Sequence, residues 1–201
     1  MSAPLNSTSS PFRTAIVLFL LLWNGTAFAQ VGGLTQYNIE RLKTNKTAMT
    51  VLGGWAVGNI ALGLALQGQR TGSDKYFHQM NAGWNVINLT LAGFGYWSAI
   101  KTDPASFDTF ATVQEQFKIQ KILLFNAGLD VGYMLGGLYL IERSKNDSDN
   151  ADRLRGFGRS IVLQGAFLFA FDLVTYGFHA RHNDSLRPLL GGDQLGLIWN
   201  F

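Results

Sequence analysis

Four polar residues stand near the centres of four stretches that otherwise carry almost no charge: Asn59, Asn88, Asp130 and Asp172. No Asp, Glu, Lys or Arg lies between Lys46 and Arg70, or between Lys75 and Lys101. Lys121 to Glu142 encloses only Asp130, and Arg159 to Arg181 encloses only Asp172. A charged carboxyl at the centre of an apolar helix costs roughly 2.5–3.5 kcal/mol on insertion scales, so two of them should point inward and meet. Asn85, Tyr133 and Tyr176 lie a turn away as partners, and Asn59 and Asn88 are placed to orient the acids. Paired carboxyls among amides and phenols suit a proton relay, a small-cation site or a pocket for a small polar ligand. The competing reading is glue, hydrogen bonds that only hold helices in register. Such bonds are worth about 0.6 kcal/mol on average inside membranes. That gain is small against the cost of two acids where Asn would serve, which favours a functional site.

The elements that must position these groups are helices. Asn81, Trp84, Asn85 and Asn88 fall at i, i+3, i+4 and i+7, and Asn126, Asp130, Tyr133 and Gly137 at i, i+4, i+7 and i+11. Asp172, Tyr176 and His179 repeat the step. This is a helical stripe, where a strand would need period two. The last residues, Leu195 to Phe201, do alternate like the closing strand of an outer-membrane barrel, but the helical stripes outweigh them. Each uncharged stretch holds at least 20 residues, close to the ~20 that cross a bilayer core. The expected spans are about 48–68, 79–100, 120–141 and 160–180. Asp103-Pro104 opens a further, interfacial helix over about 104–118, carrying Phe107, Phe110 and Phe117. The stretch 142–159 is polar and reads as a mobile loop.

Ahead of these spans, Arg13 precedes the apolar run 14–23, and Ala27-Phe28-Ala29 precedes Gln30. That is the layout of a cleavable signal peptide over 1–29, leaving 30–201 as the membrane domain with its N-terminus outside the cytoplasm. Shifting the first span by 74 residues lays Gly54, Val57, Gly58 and Gly63 on Gly128, Val131, Gly132 and Gly137. Shifting the second by 84 lays Asn88-Leu89 on Asp172-Leu173. The chain therefore reads as two tandem helical-hairpin repeats. Gly54 and Gly58, and Gly128, Gly132 and Gly136, form small-xxx-small series expected to let helices pack closely.

Composition agrees and excludes alternatives. Charged residues make up 14% of the chain, against about 25% in soluble domains. Cys is absent, which rules out disulfides, thiol nucleophiles and Cys-based zinc sites. A net charge of +3 is too small and scattered for nucleic acid. His179, His182 and Asp184 are the only metal-like grouping, at an exposed helix end where His is ordinary, so no metal is expected. No GxSxG, HExxH or P-loop occurs, which argues against an enzyme and implies no catalytic residues and no cofactor. The expected fold is an all-α, four-helix integral membrane bundle. The four-span layout and the Ala27-Phe28-Ala29-Gln30 junction resemble small bacterial membrane proteins of unknown function. The expected location is a bacterial inner membrane. Beside the lipid bilayer, the expected partner is a second copy in a homo-oligomer or another membrane protein. The expected role is small-solute, ion or proton handling, the alternative a non-catalytic assembly or scaffold subunit.

Overall fold

In a computed structural model, residues 11–190 are described, with side chains from Gly32 onward. The expected leader to Ala29 falls wholly outside the described side chains, and the alternating segment 195–201 falls outside the described residues. Four long helices run Pro11–Gln67 (α1), Gly72–Lys101 (α2), Thr109–Arg143 (α3) and Ala151–His182 (α4). A 3₁₀ turn, Pro104–Ser106, links α2 to α3; another, Asn183–Ser185, precedes the short α5, Arg187–Leu190. Among the described residues there are no strands.

Three of these helices are long and apolar enough to cross a membrane, lying within Gly32–Gln67, Thr109–Arg143 and Ala151–Ser185. The segment α2 misses that hydropathy because its inner face carries Asn81, Asn85 and Asn88, all buried. Every helix overruns its uncharged stretch. Hydropathy marks the depth of the apolar solvent, whereas a helix ends where caps and breakers end it. Asp108 caps α3, accepting from the Ala111 N–H at 2.7 Å. No Gly or Pro interrupts residues 109–127, so the interfacial helix expected over 104–118 is instead a 3₁₀ turn followed by the first turns of α3. Asp103 caps that turn, accepting from the Ala105 N–H at 2.9 Å. The mobile loop expected over 142–159 shrinks to residues 144–150, because α4 begins at Ala151. The α1–α2 turn needs Gly72, whose φ of 56° lies in the left-handed region.

The helices form two antiparallel hairpins, α1–α2 and α3–α4, which meet chiefly along α2 and α4. Glycines set the closest approaches. A Cβ on Gly63 would lie 2.6 Å from the His78 carbonyl oxygen and 3.0 Å from the Ala82 nitrogen. On Gly137 it would lie 2.7 Å from the Gly158 carbonyl oxygen and 3.0 Å from the Val162 nitrogen. Gly63 and Gly137 are 74 positions apart, as the first shift requires. Their partners, however, are 80 apart (His78 to Gly158, Ala82 to Val162), one turn short of the 84 read from residue identities. Gly54, Gly58, Gly128, Gly132 and Gly136, expected to pack helices closely, set none of these contacts within the chain. All five are exposed, and a Cβ on any of them would meet nothing within 4 Å. Spacing identifies a glycine stripe but not which way it faces.

What faces inward is polar. Among the described residues, fifteen buried side chains are polar or charged, against ten hydrophobic ones, five of them alanine. Phe94, Leu62, Val86, Phe125, Leu135 and Phe178 are all exposed. Water-soluble proteins bury such residues; a bundle solvated by lipid does not need to.

The packing makes a direct test. Gly137→Val should clash with α4 backbone and cost about 1–3 kcal/mol, as overpacking does, lowering the melting temperature in detergent. Gly132→Val, one turn and a half away on the open face, should leave melting nearly unchanged.

Candidate functional site

Two buried polar layers run across the bundle at different depths. The first is centred on Gln164 of α4, which is fully buried. Its Oε1 accepts from the Trp55 indole N–H at 2.9 Å. Its Nε2 donates to Asn81 Oδ1 at 3.0 Å and to Asn59 Oδ1 at 3.4 Å. Asn81 Oδ1 also accepts from the Ser160 hydroxyl at 2.6 Å. One amide thus ties α1, α2 and α4 together. Trp55 is held beneath it by stacking on Phe167, with ring centroids 3.8 Å apart.

Two turns farther along α4 lies Asp172, 5% exposed, which meets Asp130 of α3, 3% exposed, side chain to side chain. Gly165, beside Gln164, lets α3 approach α4: a Cβ there would lie 3.0 Å from the Asp130 carbonyl oxygen. Neither carboxyl receives a hydrogen bond from any described N–H or O–H group other than its partner's, and Asp130 Oδ2 is sealed from solvent without a donor. Two carboxylates in contact repel unless something positive lies between them. The pair therefore calls for something positive, and no described protein donor takes that place.

The remaining expected residues divide. Asn85 and Asn88 are buried, but they form a ladder on α2: Asn85 donates to the Asn81 carbonyl at 2.8 Å, and Asn88 donates to Asn85 Oδ1 at 3.2 Å. Asn59 donates to the Trp55 carbonyl at 2.9 Å and belongs to the Gln164 layer. None of the three hydrogen-bonds to the acids. Tyr133 turns outward, 40% exposed, edge-on to Trp84 with centroids 5.0 Å apart. Tyr176 is half-buried and makes no hydrogen bond to either Asp.

A further polar layer was missed. At the end of the bundle away from the two hairpin turns, Asn38, Thr112, Gln116 and His179 are fully buried and Arg41 nearly so. Asn38 donates to Thr112 Oγ1 at 2.9 Å. Gln116 donates to the His179 carbonyl and to Asn183 Oδ1, both at 2.8 Å. Both His179 ring nitrogens are buried without a partner. His182 stacks on Tyr37 with centroids 4.0 Å apart, and among the described residues no group of three His, Cys, Asp or Glu could hold a metal. Apart from His179, these residues lie outside the uncharged stretches, where charge and amides read as connectors. Their spacing (Thr112, Gln116, Gln120 on α3) was the signal available.

A family model matches residues 51–173, more than half of the chain, and spans both acids and the Gln164 layer. The chain belongs to DUF6992, a family of unknown function. No curated protein matches it, and no solved structure does. The DUF6992 match leaves Asn38, Arg41 and His179 outside its bounds.

Gln164→Leu should strand the Trp55 indole N–H and free the Asn59 and Asn81 oxygens, costing about 1–3 kcal/mol. Ser160→Ala removes one bond of several and should cost about 1 kcal/mol. Thermal melting of both in detergent checks the order.

Proposed function

We propose that this protein is an integral membrane protein in which all four helices cross the bilayer and the Asp130–Asp172 pair binds and releases a proton or a small cation. The observation that carries the reading is the pair itself: two buried carboxyls from different helices, in contact, near the middle of their apolar stretches, with no donor but each other. A fixed structural contact would be better served by an amide, which brings its own donor.

The reading has a wider frame. The chain is a bacterial inner-membrane protein, its signal peptide removed after Ala29 and its mature N-terminus outside the cytoplasm. Its two hairpins are tandem copies related by an approximate two-fold axis along the membrane normal. Support comes from equivalent residues that touch each other, as groups on such an axis do. Asn38 bonds Thr112, 74 positions on, and a Cβ on Gly156 would run into Tyr76, 80 positions back. The pairs Trp84–Tyr133 and Gln164–Asn59 exchange under the same shifts. Four spans are few for a lone translocator, so the working unit is a homo-oligomer.

One observation favours a second reading. The Gln164 layer has nearly every donor and acceptor matched, as a device that only sets helix register would. On that reading the protein is a scaffold or assembly subunit for another membrane protein.

The test is the full chain in sealed vesicles enclosing a pH-sensitive dye, with a pH step or a cation gradient imposed outside. Wild type should respond; Asp130→Asn and Asp172→Asn should each lose the response while melting at or above the wild-type temperature, since Asn keeps shape but cannot ionise. Dicyclohexylcarbodiimide, which reacts with protonated carboxyls in apolar surroundings, should label wild type and block the response. A silent wild type, together with Asn variants that fail to fold, would replace this reading with the scaffold.

A further inference from the structure

A groove of about 750 Å³ runs between α1 and α4. The two helices touch where Trp55 stacks on Phe167 and again where Tyr37 stacks on His182, with centroids 3.8 and 4.0 Å apart, and the groove opens between these contacts. Its walls are sorted by depth. From Phe167 through Phe171 and Val174 to Phe178 the α4 side is apolar apart from Thr175, and Val51 faces it from α1. At the end away from the hairpin turns the wall becomes polar, with Lys43, Arg181, Glu40, His182 and Ser185.

That order matches one leaflet of a bilayer. The apolar wall from Phe167 to Phe178 is about 17 Å long at ~1.5 Å per residue, close to the ~15 Å that one leaflet contributes to a ~30 Å hydrocarbon core. Arg181 closes the uncharged stretch of α4, and Lys43 stands one turn before Lys46, which opens that of α1. Both charges therefore lie at headgroup depth, and the apolar wall lies at acyl-chain depth. Among the described residues neither Lys43 nor Arg181 has a carboxylate within 4.0 Å. The carboxylate on the wall, Glu40, accepts from Gln36 Nε2 at 3.0 Å and lies 3.7 Å from His182 Nδ1. Two cations against one anion leave the polar end net positive, and the Ser185 hydroxyl adds a donor.

We propose that this groove binds one anionic phospholipid, its phosphate held by Lys43 and Arg181 and one acyl chain laid along Phe171, Val174 and Phe178. A choline headgroup would bring its own positive charge to the two cations, whereas a glycerol headgroup leaves the phosphate charge unopposed. The proposal rests on α1 and α4 crossing the bilayer, and it shares no residue with the acid pair.

The experiment is native mass spectrometry of the full chain in detergent, titrated with dioleoylphosphatidylglycerol or dioleoylphosphatidylcholine. The glycerol lipid should bind in one copy and at least about tenfold tighter than the choline lipid. Lys43→Gln and Arg181→Gln should each weaken the glycerol lipid about fivefold and leave the choline lipid unchanged. Ala170→Trp, which fills the apolar end, should weaken both lipids alike. The Asp130→Asn, Asp172→Asn double variant should keep both affinities, so failure of the acid-pair reading leaves this one standing. Glycerol 3-phosphate, a headgroup without chains, should not displace the lipid. Equal affinity for the two lipids, Gln variants without effect, or displacement by glycerol 3-phosphate would overturn the proposal. A lipid-free dimer that Ala170→Trp separates would give the groove to a second copy and overturn it as well. A chain that stays in solution without detergent would remove the bilayer reading itself, and this proposal with it.

Discussion

A polar group inside this bundle has nowhere to turn but another polar group in the bundle. In a lipid-facing helix the usual escape, leaning out to water, is closed, and an unpaired buried polar group costs several kcal/mol. That constraint explains the reversed packing, with amides, hydroxyls and acids inside and Phe125, Leu62 and Phe178 outside. It also explains why glycines such as Gly63, Gly137 and Gly165 occur where they do. Short amide and carboxyl side chains can reach across only if the backbones come close, and removing a Cβ brings them close.

The three polar layers answer the constraint in different ways. Around Gln164, complementary amides and a hydroxyl satisfy one another, and the layer acts as a lock on α1, α2 and α4. Around Arg41 the positioning is equally firm, through Asn38 and Phe107, but the charge faces a cavity. At Asp130 and Asp172 two acceptors face each other, and the missing component is a positive one. The layers therefore differ in kind, one with its hydrogen bonds closed and two with polar atoms left unpaired.

Much of this was legible in the residues. The spacing of Asn81, Asn85 and Asn88 specified a helix and its inner face together, and the acids were legible because a lone carboxyl in an uncharged stretch is costly wherever it points. Other features were not. The uncharged stretches located α1 to α4 but missed their ends, because Asp108 caps α3 and no breaker follows it, so polar turns continue past the apolar ones. The exposed Gly128 and Gly132 and the packed Gly137 look alike in sequence; only the rotation of α3 about its axis separates them. Gln164 sits on the same face as Asp172 but was passed over, since an amide near a span end has an easy alternative reading. Arg41 escaped notice for the opposite reason: a charge before an apolar stretch usually snorkels to water, and here Asn38, Thr112 and Phe107 hold it in.

The central claim is that Asp130 and Asp172 act as one unit with a positive occupant between them. Infrared difference spectroscopy of the protein in lipid bilayers, recorded across a pH titration in light and heavy water, reads this directly. A protonated carboxyl C=O stretch, sensitive to deuterium and lost in Asp130→Asn and in Asp172→Asn alike, is the result the account predicts. Two independently ionised carboxylates, or a protonated band that survives either single substitution unchanged, would contradict it.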